Sequence, residues 1–74
     1  MKILFFGRLK DGAPAGPVPP EIRDLDTLRA WLGRARPELL DASVRIAVND
    51  EMILGNRALD EGDEVAFLPP MSGG

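Results

Sequence analysis

The sequence predicts an α+β fold in which a mixed four- to five-stranded sheet packs on one main helix within a single domain. Three observations carry this. Leu25, Leu28, Leu32 and Ala35 follow the 3-4-3 spacing that aligns side chains on one face of a helix. Short apolar runs at 3–6, 44–48 and 64–68, bounded by Gly, Pro, Asn and Asp, read as strands. The chain has 74 residues and no cysteine, so one small core must stabilise it without a disulfide.

The first strand is Ile3-Leu4-Phe5-Phe6. Both of its parities are apolar, Ile3 and Phe5 on one side and Leu4 and Phe6 on the other. A chain this short covers one sheet face with its helix, so Phe6 is a candidate for the other. Asp11 to Pro20 holds four prolines and two glycines and is a loop, and Val18 to Ile22 is expected to add a proline-limited edge strand. The helix follows, with Asp24 or Asp26 as its cap, Trp31 at the border of its apolar face, and Arg34 and Arg36 near its C-terminus. Pro37 ends it or opens a further turn through Leu39 and Leu40. Val44 to Val48 is a strand, Asn49-Asp50 a turn, and Met52-Ile53-Leu54 a short strand. A second turn, Leu59 to Asp63, precedes the last strand, Glu64 to Leu68.

Composition excludes much chemistry. With no Cys and no His there is no thiolate nucleophile, no imidazole base and no Cys/His metal site. No Asp-rich loop has calcium-binding spacing, so no metal site is expected and the chain is not expected to be an enzyme by itself. A formal net charge of −3 argues against nucleic acid as partner. Asp60, Glu61, Asp63 and Glu64 read as a solvated turn, or else as a surface for a basic partner. No signal peptide or membrane-spanning run is present, which together with the lack of cysteine suits the cytoplasm.

The chain closes on Phe67-Leu68-Pro69-Pro70-Met71-Ser72-Gly73-Gly74. The prolines stop the strand, so a flexible tail is expected from about residue 69. Extended, its six residues reach at most about 20 Å. Glycine has no Cβ, so Gly73 and Gly74 suit insertion through a narrow channel, with Ser72 and Met71 behind them. The terminal carboxylate of Gly74 is then the candidate chemical site.

This order of elements resembles the β-grasp of ubiquitin-like proteins. Gly62 to Gly74, with Leu4-Phe5-Phe6 and Ala47-Val48-Asn49, resembles the small-subunit family of molybdopterin synthase over most of the chain. The proline-rich stretch between Gly7 and Glu21 departs from that pattern. The resemblance implies a sulfur carrier that binds no cofactor itself. An E1-like adenylating enzyme would use ATP to convert Gly74 to an acyl-adenylate, and a sulfurtransferase would then leave a thiocarboxylate there. The tail would enter the large subunit of a heterotetrameric synthase and donate sulfur to cyclic pyranopterin monophosphate. The resemblance also places a partner-binding patch at positions that match Phe6, Met52 and Leu68, which the parity of Leu68 opposite Phe67 supports. Methionine, flexible and polarizable, suits a surface that serves two partners.

Three other readings compete. The chain could carry sulfur for thiazole synthesis or tRNA thiolation, it could be a ubiquitin-like modifier of lysines, or it could be an inert interaction module, for which the Gly-Gly ending has no explanation.

Overall fold

The structure is a computed structural model that describes residues 1–11 and 17–70. Its elements are β1 (Lys2–Phe5), α1 (Leu25–Ala35), β2 (Arg45–Val48), β3 (Glu51–Met52) and β4 (Glu64–Leu68), with 3-10 turns at Gly7–Asp11 and Pro37–Leu40. The strands form one sheet in the order β1-β4-β2-β3. β1 runs parallel to β4, with Ile3 opposite Val65 and Phe5 opposite Phe67. β2 runs antiparallel to both β4 and β3.

Alternation along β4 divides the sheet into two faces. Val65 and Phe67 are fully buried, while Glu64, Ala66 and Leu68 are half-buried. Val65 and Phe67 join Ile46, Val48, Leu28, Leu32 and Leu39 in the core, and Ile3, Phe5 and Trp31 pack against it. The rings of Phe5 and Phe67 lie 5.6 Å apart.

Helix α1 starts where a side chain can satisfy its free N–H groups. The Asp24 carboxylate accepts a bond from the Thr27 N–H at 3.2 Å and one from the Asn56 side-chain amide at 2.7 Å. These bonds, the Thr27 one foremost, hold the Asp24 carboxyl below its ordinary pKa. The apolar face uses Leu25, Leu28 and Leu32 as expected, but Ala35 is exposed and Leu39 occupies the next core position. Pro37 redirects the chain into the 3-10 turn, so the face passes to the turn instead of continuing along the helix. A Cβ on Gly33 would lie 2.7 Å from Leu40 Cδ2, so glycine permits this close approach.

Several expected boundaries move. Val18 to Ile22 forms no strand: Pro19 and Pro20 have no N–H to give, and the segment closes a turn through Ile22 N–H to the Pro19 carbonyl at 3.1 Å. β1 ends at Phe5, although the Phe6 N–H still reaches the Phe67 carbonyl at 3.0 Å. Val44 precedes β2, because its N–H is taken by Asp41. The strand expected over Met52-Ile53-Leu54 is reduced to Glu51–Met52, with one further ladder bond from Ile53 to Ile46. Between β2 and β3, Asn49 and Asp50 have φ of 51° and 68°, the paired left-handed residues of a tight hairpin turn. A single helix on a mixed four-stranded sheet is the β-grasp, ubiquitin-like arrangement.

Candidate functional site

The face turned away from the helix is built by register. Leu4 pairs with Ala66, Ala66 with Ala47, and Ala47 with Met52, so one row crosses all four strands. Leu68 sits two residues along, opposite Arg45, and Phe6 continues β1 beside it. Their parity is opposite to that of the core residues. Of the three candidate interface residues, Phe6 is 41% exposed, Met52 50%, and Leu68 half-buried. Phe6 and Leu68 are neighbours, whereas Met52 is separated from them by the alanines. Leu4, Ala66 and Ala47 form the floor between them, and the strand pairing that aligns these small residues has no separate signal in the sequence. Leu54, at even spacing from Met52, is 91% exposed and was not singled out by its sequence context.

The chain leaves β4 past a seat formed by the turn after β1. Gly7 has φ of 57°, and a Cβ there would lie 2.8 Å from Pro69 Cγ. Pro69 and Pro70 are half-buried, and Pro70 lines a cavity with Arg8, Leu9, Glu38 and Ser43. The tail expected from about residue 69 therefore has its first two residues against the body. The candidate residues Met71, Ser72, Gly73 and Gly74 lie outside the described residues.

Beneath this seat lies an unexpected buried charge. Arg36, read from sequence as a helix-end residue, is 7% exposed. Its Nη2 donates to the Leu9 carbonyl at 2.6 Å, and its Nε donates to Glu38 at 3.1 Å. Its guanidinium carbon stands 4.7 Å from the centre of the Phe5 ring. Nη1 is buried with no hydrogen-bond partner among the described residues.

In the acidic corner the Asp63 carboxylate has a structural part. Asp63 accepts bonds from the Asp60 N–H at 2.8 Å and the Asn49 side-chain amide at 2.9 Å, which keep its carboxyl below its ordinary pKa. Among the described residues no His, Cys, Asp or Glu cluster could hold a metal ion. Among the same residues no helix is long and apolar enough to cross a membrane.

A β-grasp body with one uncovered apolar face and a chain end leaving beside it defines the class. The chain belongs to the ThiS family, whose model matches residues 3–74. It is 32% identical over 80 aligned residues to the molybdopterin synthase sulfur carrier subunit of Escherichia coli (strain K12). That alignment covers 100% of this chain and 99% of the relative.

Proposed function

We propose that the chain is the sulfur-carrying small subunit of a molybdopterin synthase, with the carboxylate of Gly74 as its chemical site. The full-length similarity to the bacterial sulfur carrier subunit is the observation that carries this reading. The uncovered apolar face and the Gly-Gly ending support it.

A carboxylate is a poor electrophile. On an E1-like adenylating enzyme a Gly74 carboxylate oxygen attacks the α-phosphorus of ATP, pyrophosphate leaves, and an acyl-adenylate forms. The outer sulfur of a sulfurtransferase persulfide then attacks the acyl carbon and displaces AMP, and a thiol cleaves the resulting acyl disulfide, leaving a disulfide on the donor and a thiocarboxylate on Gly74. That group is anionic at neutral pH and a soft nucleophile, so it needs no neighbouring base from a chain that has no His. In the synthase the tail enters the large subunit and passes sulfur to cyclic pyranopterin monophosphate, toward the dithiolene. The large subunit supplies groups for the phosphate, and the carrier contributes the docking face and the tail. Phe6, Met52 and Leu68 belong to that face, with Leu4 and Ala66 beneath them. The reactions belong to the cytoplasm, and the carrier binds no cofactor of its own.

Intact-mass measurement tests the chemistry. Incubation with the adenylating enzyme, ATP and a sulfur donor raises the mass by the difference between sulfur and oxygen. Loss of Gly74, or one added residue, abolishes the gain. An extended protein that still acquires sulfur refutes Gly74 as the site. Transfer to a thiazole precursor or to tRNA instead of the pterin would redirect the reading within the same chemistry. Lysine-linked adducts would make the chain a modifier.

A further inference from the structure

We infer that Arg36 is a positioning residue that fixes the direction in which the chain end leaves the body, acting through the turn after β1. The inference rests on the proposed use of the tail, but concerns the described residues alone.

The path is continuous. Arg36 Nη2 holds the Leu9 carbonyl, and the Leu9 N–H bonds back to the Phe6 carbonyl at 3.1 Å. This ties the Gly7–Asp11 turn to the end of α1. Gly7 in that turn leaves no room for a Cβ beside Pro69, so the turn and the proline ring are in close contact. Pro70 continues along Arg8 and Leu9. The Arg36 guanidinium also lies over Phe5, whose neighbour across the ladder is Phe67, two residues before Pro69. The last described residues are thus linked to one side chain by two indirect paths, one through the Phe5 ring and Phe67, the other through the turn.

The brace is costly to the fold. A charged group is seldom fully buried unless well paired, and replacing a buried ion by an apolar residue of similar volume is often neutral or stabilising. Arg36 keeps Nη1 buried without a partner among the described residues, and its acidic partner Glu38 has a side chain 52% exposed. A methionine, shorter but apolar, would occupy the aliphatic part of the same space without an unpaired donor. What methionine cannot do is hold the Leu9 carbonyl. Arg36 lies on the helix side of the sheet, away from Met52 and Leu68, so delivery of the tail and docking of the body are separable.

The test varies carrier concentration against the adenylating enzyme and follows ATP-dependent pyrophosphate release, for wild type, Arg36→Met and Arg36→Lys. Arg36→Met is expected to lower kcat about fivefold or more while leaving KM within about twofold, because binding of the body is unchanged and only placement of the carboxylate suffers. Arg36→Lys, which can still donate to the Leu9 carbonyl, recovers part of the loss. In parallel, NMR of the same proteins shows faster exchange of the Leu9 amide and a weaker Gly7–Pro69 nuclear Overhauser contact in Arg36→Met. An unchanged kcat overturns the inference, and so does a change confined to KM, which would make Arg36 part of the docking machinery. If Arg36→Met does not fold, Arg36→Lys is read by the same two criteria, with a kcat equal to wild type beside a loosened Gly7–Pro69 contact counting against the brace. If wild type releases no pyrophosphate, the proposed function fails. An intact Gly7–Pro69 contact in the variants then overturns the brace separately.

Discussion

Truncation of Phe6 separates the proposed docking role from a part in the fold. Phe6 follows β1, contributes its N–H to the Phe67 carbonyl, and leaves 41% of its surface uncovered. For an aromatic side chain presenting about 200 Å², that is about 80 Å² open to a partner. At about 25 cal/mol per Å² its cover is worth about 2 kcal/mol. Loss of that cover corresponds to about a thirtyfold rise in Kd. Phe6→Ala keeps the backbone bond, and the ring it removes lies outside the Val65–Phe67–Leu28 core. Isothermal calorimetry against the synthase large subunit, paired with thermal unfolding of the free carrier, is the measurement. A Kd within about threefold of wild type refutes the docking role of Phe6. A large fall in Tm shows that the ring belongs to the core.

Other expectations follow from the same geometry. Leu68→Asp weakens the same complex by placing a charge on the apolar face, and circular dichroism of the free protein stays near that of wild type. Leu28→Ala removes a fully buried side chain and lowers stability by about 2–5 kcal/mol in urea unfolding; the fraction that stays folded still gains sulfur at Gly74. The carboxyls of Asp24, Asp41 and Asp63 are all held below their ordinary pKa by hydrogen bonds. Their contribution is therefore fully present above the unfolded value, about 3.9, and is lost as pH falls through the lower folded values. Asp24→Asn consequently destabilises most at neutral pH, and the difference from wild type narrows in acid. Equal differences in Tm at pH 7 and in strong acid would contradict that account.

Much of this was legible in sequence because local and tertiary preferences agree. The bounds of β4 coincide with the run Glu64 to Leu68, where alternation, flanking turns and Pro69 all mark the same limits. Of the two acidic caps the sequence offered, Asp24 and Asp26, it is Asp24 that caps α1, with Asp26 in the first turn. Period-two parity put Phe6 and Leu68 on one face before any strand was paired. The failures have equally physical sources. Val18 to Ile22 has apolar residues at strand spacing, but a ladder needs N–H donors that two consecutive prolines do not have. Leu39 replaced Ala35 in the core because Pro37 broke the helical period. Arg36 gave no warning of burial, since its site is assembled from Phe5, Leu9 and Glu38, and the first two are distant in sequence. The seat of Pro69 depends on a left-handed Gly7 more than sixty positions away.

The order β1-β4-β2-β3 also governs how the molecule is made. One of the two inner strands, β4, is the last one synthesised. While the ribosome is still short of Glu64, a nascent chain has β1 on one side and the β2–β3 hairpin on the other, with nothing to join them. The helix has no completed sheet to rest on, and Ile3, Phe5 and Ile46 have no Val65 or Phe67 to meet. Local helix and hairpin can form early, but loop closure between the two ends of the chain must wait for β4. Ribosomal stalling before that point yields a chain open to chaperones and proteases and without a body to dock. Arrival of β4 closes the sheet and brings Pro69 to its seat beside Gly7 in the same event.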